Sequence, residues 1–306
     1  MLDGKWLWVW YWDGQAAAAA AAAGAAGVLV KAGDGATPWA QFAPAAARAR
    51  GAGLRCAAWQ YCYGEDLEGE LAVAAAAVAA GAQAVVLDCE YEWIGADPAR
   101  AAALVTGARG LGVPVGVTTD LRIAFANRWP QADAFVPEAE PFPWAALRAA
   151  DWWLPQLYWT DFRVPAPWVV DLVARFEAGA AQAGWPRPRL HPVLPGGAAA
   201  EDLARVAAAL AEAGAEGISL WRWGVLTSGA LEALGEWDMT TRIAELVNLL
   251  GYLQGDVADA LERAADDLER YDPAPKTPNA NYLRRQEARQ ALRAAIATLR
   301  RGGDAA

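Results

Sequence analysis

The stretch Ala84–Trp93, AVVLDCEYEW, is a short apolar run that turns abruptly into acid. Val85, Val86 and Leu87, preceded by Gly81, have the β-branched, apolar character of a buried strand. Asp88, Glu90 and Glu92 follow at alternate positions. Successive strand residues point to opposite faces, so the spacing predicts three carboxyls on one face and Leu87, Cys89 and Tyr91 on the other. Burying an ionised carboxylate is costly unless it is compensated. Two readings follow: a functional acid cluster, or a solvated strand end with one acid salt-bridged to a neighbour.

The same grammar, an apolar run closed by a polar residue or glycine, recurs along the chain. Trp6–Trp12 (WLWVWYW) reads as strand one, closed by Asp13-Gly14. Gly27–Ala32 is strand two, Leu54–Tyr63 strand three, and the opening stretch strand four. Val113–Thr119 is strand five, with Asp120 at its end, and Trp152–Trp159 (WWLPQLYW) is strand six. Leu190–Leu194 is strand seven and Gly217–Trp223 (GISLWRW) strand eight. Helical stretches intervene: Gln15–Ala25, Trp39–Arg50, Glu65–Ala80, Pro98–Gly110 with Asp97 as N-cap, Pro165–Ala183 and Glu201–Ala213. A long connection rich in proline and aromatics runs from Phe125 to Trp144. Alternating strands and helices imply a parallel sheet. Eight such units in about 235 residues match a (β/α)8 TIM barrel. The competitor, an open doubly wound sheet, would usually carry a Gly-rich loop after strand one, where Trp12-Asp13-Gly14-Gln15 has none.

All seventeen tryptophans lie at or before Trp237, and the chain beyond is charged and helical. The domains expected are therefore a barrel over 1–238 and a helical tail over 239–306. Ile243, Leu246, Leu250, Leu253 and Val257 repeat at steps of four and three, and a Pro/Asn break at 272–281 precedes a second helix. The tail thus reads as an α-helical hairpin that packs on its own barrel, forms a homo-oligomer or docks on a protein partner.

A formal charge of −10 argues against non-specific binding to nucleic acid or anionic lipid. Three cysteines without a CxxC pair and a single histidine, His191, give no zinc signature, and no other metal or cofactor motif is present. Cys56 and Cys62, about 20 Å apart on one strand, cannot bridge each other. The low, odd cysteine count suits a reducing cytosol, the start lacks a secretory signal pattern, and no stretch is long and apolar enough to insert in a membrane.

In a barrel the C-terminal strand ends meet at one mouth, so their residues can be read as a set. They are Tyr11 and Asp13, Lys31 and Asp34, Gln60 and Tyr61, Asp88, Glu90 and Glu92, Thr118 and Asp120, Gln156 and Tyr158, His191, and Trp221 and Trp223. Acids, amides and aromatics together suit carbohydrate: sugar rings stack on aromatic faces and hydroxyls take directed hydrogen bonds. Paired carboxyls are the usual equipment of glycosidic hydrolysis. Each residue also has a plainer role. Lys31 can neutralise a mouth acid, His191 can be structural, Trp6, Trp8 and Trp10 can be packing, and Glu92 can be a loop partner. Trp221 and Trp223 fit a sugar platform or the core equally.

Asp88-Cys89-Glu90 at the end of strand four resembles the Asp-x-Glu motif of family 25 glycoside hydrolases, the Chalaropsis-type lysozymes. The resemblance extends over about residues 5–237. It implies cleavage of a cell-wall-type polysaccharide, with Glu90 as proton donor, Asp88 as its charged partner and Asp13 as a first-strand acid. Gln156 stands where that family usually carries another acid. PQLYW and GISLWRW resemble uncharacterised glycoside-hydrolase-like barrels of bacteria and phages. The alternatives to a hydrolase are a catalytically silent glycan-binding barrel and a structural, phage-particle-like protein assembled through its tail.

Overall fold

A computed structural model describes residues 2–125 and 142–236. The connection 126–141 and the tail over 239–306 lie outside the described residues, and so does the predicted hairpin. Among the described residues, eight parallel strands close into a barrel: β1 Gly4–Val9, β2 Gly27–Asp34, β3 Arg55–Tyr61, β4 Val85–Asp88, β5 Val115–Asp120, β6 Trp152–Gln156, β7 Val193–Pro195 and β8 Gly217–Trp221. Each pairs with its neighbours in chain order, and β1 closes on β8 with Gly4 opposite Gly217. Helices alternate with the strands, among them α1 Ala16–Ala22, α2 Phe42–Gly51, α3 Leu67–Ala79 and α4 Pro98–Arg109. Asp66 and Asp97 cap α3 and α4, each accepting a backbone N–H from the first turn.

Two departures from the predicted strands have local causes. The predicted seventh strand is split into Arg189–Leu190 and Val193–Pro195, because Pro192 has no N–H to give the ladder. Strand four ends at Asp88, and Tyr91–Trp93 is a 3₁₀ turn rather than extended chain.

The interior is built of tryptophan. Trp6, Trp8, Trp59 and Trp152 are buried there with Leu2, Leu29, Val86, Leu154 and Val193. Alternation explains the sorting: β1 sends Trp6 and Trp8 inward and Leu7 and Val9 outward to the helices. Trp8, Trp59 and Trp221 pack mutually at ring-centroid distances of 5.4–5.5 Å, and Trp10 joins Trp59 and Trp221 at 5.6 and 5.7 Å. Edge-on geometry dominates, the arrangement aromatic quadrupoles favour. Rings this large demand small neighbours. A Cβ on Gly27 would stand 2.5 Å from Trp6 and 2.6 Å from the Arg55 carbonyl.

His191 lies among these layers. It is fully buried, with Nδ1 2.5 Å from the Leu2 carbonyl, and burial pulls its pKa down to about 3. It is a neutral histidine outside the mouth.

Candidate active site

Above the tryptophan cage the strand ends surround a cavity of about 400 Å³. Its wall brings together, from the sequence-predicted residues, Lys31, Tyr61, Asp88, Glu90, Glu92, Asp120, Gln156, Tyr158 and Trp221. Asp34, also of the predicted strand-end set, lines it too, and Trp10, Trp59, Tyr63 and Arg122 complete it.

Asp88 ends β4 pointing inward, and the chain then leaves the sheet so that Glu90 reaches the same spot. Gln156 arrives from β6 and joins them. Its Nε2 donates to Asp88 Oδ1 at 3.1 Å and to Glu90 Oε1 at 2.7 Å. The two carboxyls thus share one donor, and the charge of Glu90 acts on Asp88. Asp88 is 4 % exposed, and burial, followed by the charge of Glu90, pushes its pKa well above the usual carboxylate range. Burial likewise raises Glu90. Two acids this close do not both ionise readily, so they titrate as a unit that retains one proton above the ordinary carboxylate range.

This linkage has a sign. A carboxyl whose pKa is raised by folding contributes stability in its protonated form and loses that contribution as pH rises through the folded pKa. Asp88→Asn, which mimics the protonated acid, is expected to raise the melting temperature at pH 8 by about 3 °C or more. The gain should vanish near pH 3, where Asp88 is protonated in both folded and unfolded chains. Thermal melts of both proteins across pH 3–8 check this; a gain independent of pH contradicts it.

The remaining mouth acids are each held by a partner. Asp34 Oδ2 accepts from Lys31 Nζ at 2.7 Å and Asp34 Oδ1 from the Tyr63 hydroxyl at 2.9 Å. Lys31 thus neutralises an acid at its own strand's end; it is fully buried, with Nζ 4.2 Å from the Trp10 ring centroid and 4.6 Å from that of Trp39. Asp120 is clamped by Arg122, with Nη2 2.5 Å from Oδ2, and accepts from the Tyr91 hydroxyl at 3.3 Å. Glu92 accepts from the Tyr61 hydroxyl at 2.7 Å. It comes to the mouth through the 3₁₀ turn, not through the common strand face predicted for it. Tyr158 lines the wall nearly parallel to Trp221, 29° between planes. Burial raises its hydroxyl pKa, so it stays a donor.

Besides His191, five of the strand-end candidates fall elsewhere; Thr118 is buried, its hydroxyl donating to the Leu154 carbonyl at 2.7 Å. Gln60 points out of the barrel, donating to the Gly35 and Glu70 carbonyls at 3.0 and 2.9 Å. Adjacent strand residues face opposite ways, so Gln60 and Tyr61 cannot both enter the mouth. Asp13 caps the start of α1 through the Gln15 and Ala16 amides and accepts from Trp223 Nε1 at 2.8 Å. This pair stands beside the cavity wall and not in it. Tyr11, 63 % exposed, packs on Trp10 and Trp39 at the rim. Trp10, Trp59, Tyr63 and Arg122 were absent from the predicted set. Trp59 could have been found, since it stands two residues before Tyr61 on one strand face. Arg122 lies past its strand's end, where no strand pattern extends.

Among the described residues, no group of three or more His, Cys, Asp or Glu is placed to hold a metal ion, and no helix is long and apolar enough to cross a membrane.

The class this geometry defines is a (β/α)8 barrel with a buried carboxyl pair at its mouth. Similar solved structures include a chitinase from Chromobacterium violaceum, with a TM-score of 0.56 at 15% identity, matching 76% of this chain and 98% of that one. A GH18 chitinase from Pseudoalteromonas aurantia gives 0.54 at 11% identity over 76% and 99%. The catalytic domain of a β-amylase from Paenibacillus polymyxa gives 0.52 at 10% identity over 78% and 98%. At such identities the likeness is one of fold. No protein-family model and no curated protein matches the chain. The family 25 resemblance of the Asp-x-Glu motif finds no support among these neighbours, two chitinases and a β-amylase.

Proposed function

We propose that the barrel hydrolyses glycosidic bonds of a polysaccharide built from 2-acetamido sugars, a class that includes cell-wall-type glycans. The observation that carries this reading is the Asp88–Glu90 pair, held by Gln156 at the floor of an aromatic mouth. Glu90 is the proton donor to the glycosidic oxygen. The one proton the pair retains is the proton Glu90 gives, with Asp88, more deeply buried, as its charged partner.

Retaining enzymes with two protein carboxyls place them about 5–5.5 Å apart, and inverting ones about 6.5–9.5 Å. Asp88 and Glu90 accept from the same Gln156 amide, which supports placing them together on one side of the scissile bond. Asp34, Asp120 and Glu92 are engaged by Lys31, Arg122 and Tyr61. The nucleophile that fits is therefore one the sugar brings, its own 2-acetamido oxygen, as in substrate-assisted glycosidases. That two of the similar structures are chitinases supports the same substrate class.

The test is reducing-end release from an N-acetylated glycan and from its de-N-acetylated counterpart. Turnover is expected on the first and a loss of at least about 100-fold on the second; equal rates on both exclude the acetamido nucleophile.

Gln156 gives a second check. Gln156→Met removes the donor shared by both carboxyls. The bond from Gln156 lowers the Glu90 pKa, so its loss raises it. The general acid then stays protonated to higher pH, and the alkaline limb of the pH–rate profile is expected to move upward. The maximal rate should fall about 10- to 100-fold because Glu90 is less firmly placed. A limb that stays or moves down contradicts the arrangement.

A further inference from the structure

Behind the carboxyl pair, on the outer face of the same strands, the fold sets two cysteines side by side. Tyr61, the last residue of β3, lies opposite Asp88, the last of β4, so Cys62 and Cys89, the residues immediately past the two strand ends, come out side by side. The Cys62 amide donates to the Asp88 carbonyl at 2.8 Å and fixes that register. Both side chains leave the sheet on the face that packs against the helices, and both are 0 % exposed. Adjacent strands run about 4.7–4.9 Å apart, within the Cα separation of about 4.4–6.8 Å that a disulfide spans. Cys62 Sγ hydrogen-bonds the Gln60 carbonyl at 3.5 Å, and the Cys62 and Cys89 thiols lie close enough to perturb each other's charge. Cys56, six residues back along β3, is out of reach of Cys62.

The geometry points to Cys62 and Cys89 as a cross-linking site: a dithiol that closes to a disulfide and ties the end of β3 to the segment carrying Asp88 and Glu90. This is independent of the proposed function. A small-molecule disulfide such as oxidised glutathione is the oxidant. The Cys62 thiolate attacks one of its sulfurs and releases one glutathione thiolate. The Cys89 thiolate then attacks Cys62 Sγ in the mixed disulfide and releases the second. Two protein thiols are oxidised to one bridge, and one oxidised glutathione is reduced to two thiols. Burial raises both thiol pKa values, so exchange is slow in the closed fold and proceeds while the strands open or before they dock. The bridge closes over the β3–α3–β4 unit and constrains the unfolded chain most where the site is built.

The test equilibrates the full-length chain in glutathione redox buffer at a urea concentration below its unfolding transition, and again fully unfolded in concentrated urea. Free thiols are then trapped by alkylation and peptides mapped by mass spectrometry. The expected result is a Cys62–Cys89 linked peptide with Cys56 alkylated. Its equilibrium constant against glutathione should be about tenfold or more higher in the folded chain than in the unfolded one, because the fold holds the sulfurs together. Cys56→Ala, which removes the only competing thiol, should give the same value. Three alkylated cysteines, a linkage through Cys56, or a folded-state constant no greater than the unfolded one would overturn the assignment.

Discussion

Glu90→Gln is expected to lower turnover by about 10²- to 10⁴-fold while leaving glycan affinity and the melting temperature nearly unchanged. Glutamine keeps the shape of the side chain and can still meet Gln156, which holds Glu90 Oε1 at 2.7 Å. It has no proton to give the leaving oxygen, and general acid catalysis is typically worth about that factor. The affinity should survive because the proposed binding uses the aromatic wall and fixed polar groups of the mouth, Trp10, Trp221 and Tyr158 among them, none of which the substitution touches. Reducing-end assays and calorimetric titration on the same variant check both halves. An active Glu90→Gln chain removes Glu90 from the proposed role. A wild type that binds glycan without cleaving it favours a silent glycan-binding barrel.

Trp8→Ala should be the most damaging single change to the fold, at about 3–5 kcal/mol. Trp8 is 1% exposed, packs at 5.5 Å on both Trp59 and Trp221, and donates from Nε1 to Ser219 Oγ at 2.8 Å. Removing it opens a cavity in the barrel's centre and leaves the buried Ser219 hydroxyl without that donor. A denaturant titration reads the loss directly. A shift below about 1 kcal/mol would mean that the tryptophan cage is not what fills the barrel.

The barrel was legible because each strand is written in the same way, an apolar run closed by a polar residue or glycine, and the repeats are spaced for a crossover helix. What sequence could not supply was the path of the chain once a strand ends. Asp88 and Glu90 meet because the backbone turns after Asp88, and Glu92 arrives through a 3₁₀ turn. Alternation in an extended strand predicted a shared face for the wrong reason. The same alternation, applied strictly, separates Gln60 from Tyr61 and joins Trp59 to the mouth. Partners across the barrel were invisible in a linear reading. Gln156 takes its role from two residues of β4 and the turn after it, and Asp13 is absorbed in capping α1 and holding Trp223. Cys62 and Cys89, 27 positions apart in sequence, become neighbours only once β3 and β4 are in register.

The stereochemistry of the first product tests the central claim most directly. Hydrolysis of a soluble β-linked N-acetylated oligosaccharide, followed by proton NMR before mutarotation sets in, reports the configuration of the released reducing end. With Glu90 as the acid and the sugar's own acetamido oxygen as nucleophile, two displacements occur at the anomeric carbon, and the account predicts that the β configuration is retained. Release of the α anomer would require a water activated on the opposite face by a second carboxylate, and would contradict the pairing of Asp88 with Glu90 on one side of the bond.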